Sequence, residues 1–302
     1  MKKVFLKKTR SNYYSIPFII LITILSIFIA SCSKNDDQPP VVITKISEDI
    51  KELIYFQGDE KASTVLINVQ EGPDTKLDAS IVDLIFNNTN ATDLLVANVH
   101  QAQTLDSTIV KGNDITLEQA ITYSAKSIET LDQVLSYFKG QGRTVYVFGN
   151  SFGAFMTQEL IAKKGINSAD KYLIMTGRLD INDVIWQALA EGNNGYFESG
   201  VTPIIDAELV TDIKEKNLNK MTAALGKNRY TQLLNTIEDL SKVTYIYGKN
   251  DQAVGSLTAE EVQFLESKNA TVISGNGGHG ETFFEFVVQG FKDAFGIEIL
   301  LQ

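Results

Sequence analysis

The chain has 302 residues, 44% of them hydrophobic and 21% charged, which fits a globular protein with one large core and excludes a disordered chain. Its formal net charge of −10 argues against nucleic acid as a partner. No internal repeat or low-complexity segment interrupts it.

In chain order, the first element is a leader. Lys2, Lys3, Lys7, Lys8 and Arg10 precede any acid, and an apolar run, IPFIILITILSIFIA, occupies residues 16 to 30. That run is shorter than the roughly 20 residues a spanning helix needs. A basic start before a short apolar run is the pattern of a secretory signal peptide. It ends in Ile29-Ala30-Ser31-Cys32, which resembles the bacterial lipobox. The resemblance implies removal of residues 1–31 and lipidation of Cys32, the only cysteine, which therefore has no intramolecular disulfide partner. Loss of the five leader cations leaves the mature chain more acidic still. SKNDDQPP then reads as a tether over residues 32–48. Its acidic residues resemble the surface-export signal of lipoproteins in Bacteroidetes-type bacteria. The expected location is the cell envelope, anchored to the membrane through Cys32, with the outer-membrane surface as one destination.

The body follows over residues 49–302. ELIYFQ and TVLINVQ are two apolar runs separated by GDEKAS, which predicts a hairpin. DASIVDLIF predicts a helix and DLLVANVH a buried strand. Thr116 opens a capping box with Gln119. Ile121, Ala125, Ile128, Leu131, Leu135 and Phe138 then mark one apolar helix face, and Gly140 is expected to end it. TVYVF is the next strand, followed by a helix that stops at Gly165. KYLIMTG, VTYIYG and ATVISG are three further strands, with a partly helical insertion at about 180–240. Strands alternating with helices predict an α/β fold, a mostly parallel sheet flanked by helices. Ligands bind such sheets at the carboxyl ends of the strands.

One junction carries chemistry. Gly149-Asn150-Ser151-Phe152-Gly153 matches G-x-S-x-G and lies between a strand and a helix, where that motif belongs. A serine hydroxyl needs a base, and the base needs an orienting carboxylate. Two histidines exist, His100 before the serine and His279 in the glycine-rich SGNGGHGET after the last strand. The motif in this setting resembles that of the α/β-hydrolases, and their order of serine, acid, histidine implies His279 as the base and leaves His100 near the pocket rim. Asp251, just past VTYIYG, is the expected acid. Asp180, after YLIMTG, is the alternative.

These residues resemble the α/β-hydrolase superfamily over about residues 50 to 302. The resemblance implies an eight-stranded-type sheet with a helical cap inserted after the sixth strand. It also implies an oxyanion hole built from the Phe152 N–H and the loop after an earlier strand, here Glu71 or Gly72. Gly72-Pro73 resembles the Gly-Gly-Pro of proline-specific peptidases, with Gln70 and Glu71 in place of His-Gly. Trp186, Tyr196, Phe197 and Tyr230 of the insertion either line a pocket or pack the insertion onto the body. The expected activity is ester hydrolysis by Ser151, His279 and Asp251 on a small acyl substrate, with a peptide bond as second choice. No cofactor and no metal are implied. A non-catalytic binding scaffold on the same fold is the rival, and such a scaffold would be marked by a degraded triad.

Overall fold

The computed structural model describes residues 45–300 apart from Asn90. The leader, Cys32 and most of the tether lie outside the described residues. Strands β1 (Ile54–Gly58), β2 (Thr64–Val69), β3 (Leu94–Val99), β4 (Thr144–Asn150), β5 (Lys171–Met175), β8 (Val243–Gly248) and β9 (Thr271–Gly275) form one sheet in the order β1-β3-β2-β4-β5-β8-β9. All pairs in it are parallel except β1 with β3. A separate two-stranded hairpin joins β6 (Gly195–Glu198) and β7 (Thr202–Ile205).

The helices are α1 (Glu48–Lys51), α2 (Ser80–Asn87), α3 (Thr108–Lys111), α4 (Leu117–Gly140) and α5 (Phe152–Lys164), then α6 (Asp183–Ala190), α7 (Ile213–Gly226), α8 (Tyr230–Leu233), α9 (Ala259–Ser267) and α10 (His279–Phe295). Strand alternation sends successive side chains to opposite faces. Val65, Ile67, Val145 and Val147 therefore pack with Ile128, Leu131 and Leu135 of α4 and Phe155 and Leu160 of α5. Leu66 and Phe148 point the other way, into a second core with Ile85 of α2 and Val287 and Phe291 of α10. Phe148 is wholly buried, and burial of such a side chain stabilises by about 1.5–3 kcal/mol.

Two sequence expectations are corrected. β1 and β2 do not form a hairpin. β1 pairs antiparallel with β3, and β2 lies between β3 and β4. The reason is burial: VLINV is covered on both faces and needs a central place, whereas IYFQG is half exposed and fits an edge. The sheet has seven strands among the described residues, so the insertion follows β5, the fifth strand of the chain, and not a sixth. Gly140 is the last residue of α4, as expected, and Gly142 just beyond it takes φ 76°. The Thr116–Gln119 capping box forms in both directions.

The insertion contains a β-hairpin as well as helices. Its α7 packs on α4 and α6. Trp186 donates its Nε1–H to Ala223 O at 3.0 Å, and Phe197 and Tyr230 are fully buried. Of the four aromatics only Tyr196 is exposed, and the other three are packing residues.

Candidate active site

β4 ends in a sharp turn. Ser151 takes φ 55° and ψ −120° and caps α5. A non-glycine residue at positive φ costs on the order of 1–3 kcal/mol and persists only where its surroundings hold it. Here the glycines on either side are sterically required. A Cβ on Gly153 would stand 2.6 Å from Val69 O, and one on Gly149 would strike Thr157 Oγ1 and Gly153 O. α5 can therefore lie against the end of β2 only without those side chains.

A hydrogen-bond chain fixes the turn. Ser151 N–H donates to Met175 O at 3.1 Å and to Thr176 Oγ1 at 3.2 Å. Thr176 is itself at φ 45°, and its hydroxyl donates to Asn150 Oδ1 at 2.8 Å. Asn150 Nδ2–H donates to Glu71 Oε1 at 2.8 Å. Three neighbouring strand ends, those of β2, β4 and β5, are thus tied at one point.

The predicted partners meet the serine. His279 Nε2 lies 2.8 Å from Ser151 Oγ, and His279 Nδ1 lies 2.7 Å from Asp251 Oδ2. Asp251 is 1% exposed, and its Oδ1 accepts the N–H groups of Ala253 and Val254 at 2.9 and 3.0 Å. One carboxylate oxygen is thus held by backbone while the other faces the imidazole. His279 is the first residue of α10. Lys249 N–H to Gly275 O, Asn250 N–H to Gly277 O and Asn250 Nδ2–H to Asn276 O fasten the acid's loop to the histidine's. The insertion braces the same loop from the other side. Phe197 N–H donates to Gln252 O at 2.8 Å, Ser256 N–H donates to Gly200 O at 2.7 Å, and the Arg178 guanidinium lies 5.3 Å from the Phe197 ring centroid.

The other candidates lie elsewhere. Asp180 accepts the N–H and hydroxyl of Thr231, a contact within the insertion. His100 is buried, 1% exposed, and not at a rim. Its Nδ1–H donates to Leu53 O at 2.9 Å and its Nε2 accepts the Asp78 N–H at 2.7 Å, which pins the loop before α2. Sequence reasoning did not single out Asn150, Thr176, Asn68 or Asp78.

Ser151 and His279 open into a cleft of about 490 Å³. Glu71, Gly72, Asp74 and Asp78 form one wall, and Ile81, Phe283 and Phe284 form the apolar one. As the first residue of α5, Phe152 contributes one of the amides without an intrahelical acceptor, beside the serine. Glu71 and Gly72 (φ 56°) line the same cleft. Burial raises the Glu71 carboxyl above the ordinary carboxylate range, against the Asn150 hydrogen bond and the nearby His279, which lower it. Among the described residues no group of three His, Cys, Asp or Glu side chains stands close enough to hold a metal ion. Nor is any helix there long and apolar enough to cross a membrane.

The sequence matches no protein-family model and no curated protein. Solved structures are similar to it in fold. MGS-M2, an alpha/beta hydrolase enzyme from a Medee basin deep-sea metagenome library, aligns with a TM-score of 0.50 at 14% identity, over 80% of this chain and 93% of that one. Est1E from Butyrivibrio proteoclasticus aligns with a TM-score of 0.48 at 13% identity, over 80% and 91%. A lipase-esterase related protein from Clostridium acetobutylicum ATCC 824 gives 0.48 at 14%, over 80% and 97%. The chain has the α/β-hydrolase fold.

Proposed function

We propose that the protein is a serine hydrolase that cleaves an ester bond, anchored in the cell envelope outside the cytoplasmic membrane by a lipid on Cys32. The continuous contact from Ser151 Oγ through His279 to Asp251, at 2.8 and 2.7 Å, carries the catalytic half of this reading. In the proposed cycle Ser151 Oγ attacks the acyl carbon while His279 Nε2 accepts its proton. Asp251 orients the ring and stabilises the imidazolium. The N–H of Phe152 and those of the 71–72 segment receive the oxyanion. His279 then protonates the leaving alkoxide, and a water deprotonated by the same nitrogen releases the acid from Ser151. Glu71 is compatible with this because its Oε1 is engaged by Asn150.

A fluorophosphonate probe tests the reading. Wild type is expected to be labelled on Ser151, and Ser151→Ala is expected to lose label with its melting point kept. An unlabelled wild type, or labelling that persists at another residue in the variant, overturns the assignment, and the first of these outcomes favours the binding scaffold. The anchor rests on the sequence of the leader. Cys32→Ser is expected to abolish incorporation of radioactive fatty acid in a bacterial host, and unchanged incorporation removes the lipid claim.

A further inference from the structure

The cleft at Ser151 continues into a smaller cavity of about 100 Å³, and the two share Glu71, Asp74, Asp78 and Ile81. Asn68 and Asn98, paired in register near the ends of β2 and β3, close its floor. The floor holds an acceptor that nothing in the protein uses, the Asn68 Oδ1, beside the second N–H of the same amide. Asn68 Nδ2–H donates to Asn98 Oδ1 at 2.9 Å, and Asn98 Nδ2–H donates to Asp78 O. Asn68 is 1% exposed, and its Oδ1 has no hydrogen-bond partner. A buried acceptor left unpaired is a standing cost, and a donor that reaches it recovers that cost.

The walls have the matching charge. Among the described residues no Lys or Arg pairs with Glu71, Asp74 or Asp78. Burial and the charge of Asp78 both raise the Glu71 carboxyl, so a cation seated beside it relieves a cost already present. Anions are repelled by this wall. A hydroxyl brings one donor, whereas an ammonium brings three donors, no acceptor and the compensating charge. The carboxylates do not converge closely enough for a metal ion.

We propose that this cavity seats a primary ammonium group of the substrate, so that the enzyme prefers esters or amides of cationic small molecules. The proposal rests on the hydrolase reading for its word substrate, but the ammonium site is testable without turnover. The apolar wall of Phe283 and Phe284 takes the hydrocarbon that joins the ammonium to the acyl group.

The test has two arms. In the first, ¹⁵N-labelled Ser151→Ala protein is titrated with n-propylammonium and, separately, with propan-1-ol. Propylammonium is expected to shift the Asn68 side-chain amide and to bind about tenfold or more tighter than the alcohol, the ratio a charge-assisted hydrogen bond carries. Glu71→Gln in the same background is expected to remove most of that preference, with Asp78→Asn as the second variant should the first not fold. Equal binding of the two probes, or an unmoved Asn68 signal, overturns the proposal. In the second arm, kcat/KM is compared for p-nitrophenyl 6-aminohexanoate and p-nitrophenyl heptanoate. The cationic ester is expected to lead by about tenfold, and a neutral ester hydrolysed as well or better overturns the proposal. If neither ester is cleaved, the hydrolase reading fails and the titration alone decides the ammonium site.

Discussion

Asp251→Asn separates a catalytic acid from a turn aspartate. Asp251 Oδ1 accepts two backbone N–H groups, from Ala253 and Val254, and an asparagine oxygen can keep both. The fold is therefore retained. The amide nitrogen then replaces Oδ2 at 2.7 Å from His279 Nδ1, so a donor faces the position that used to donate. The ring settles into the tautomer with hydrogen on Nε2, which points at Ser151 Oγ and cannot accept its proton. A wrong tautomer in this chemistry costs roughly 10⁴ in turnover, about 5 kcal/mol of transition-state stabilisation. Asp180→Asn loses only one acceptor for Thr231, worth about 1 kcal/mol of stability, and is expected to change turnover by no more than a small factor. The assay is steady-state hydrolysis of a p-nitrophenyl ester with melting curves for each variant. Turnover of Asp251→Asn within tenfold of wild type, in a variant that melts normally, would refute the reasoning. A larger loss for Asp180→Asn would do the same.

Two other variants probe the elbow and the buried carboxylate. Gly153→Ala forces a Cβ against Val69 O and is expected to cost about 1–3 kcal/mol, a fall of several degrees in melting temperature together with lost activity; an unchanged melt would mean that α5 has room to move. Glu71→Gln removes a carboxylate whose ionised form burial disfavours. Because the folded-state pKa is raised, Glu71 binds more protons folded than unfolded, and wild type gains stability as pH falls towards the unfolded value. The variant should melt at or above wild type at pH 7, and the difference should vanish in acid; a variant less stable at pH 7 contradicts the sign.

Much of this architecture is readable in the chain. Apolar runs that end in glycine gave away the strands, and G-x-S-x-G had its meaning from the strand before it and the helix after it. Chain order chose His279 over His100, and the closeness of Asp251 to the last βα unit favoured it over Asp180. Strand order was less readable. A six-residue link invites a hairpin, yet the two-sided burial of VLINV draws β2 to the middle of the sheet. The network Ser151–Thr176–Asn150–Glu71 was not readable at all, because its members come from three strand ends that only the sheet makes neighbours. Asn68 reads as one more polar residue in a strand until the cavity above it is seen.

The position of the insertion has a kinetic consequence. It is keyed into the flank by α7 on α4 and into the acid's loop by Phe197 and Gly200, and the cleft at Ser151 has none of its residues among its walls. It acts as a buttress and not as a trapdoor. Phe284, 68% exposed on the body's own α10, lines the cleft instead. Substrate dissolved in water and substrate gathered into micelles then meet the same open doorway. Progress curves should start without a lag, and rates should rise hyperbolically through the critical micelle concentration with no jump there.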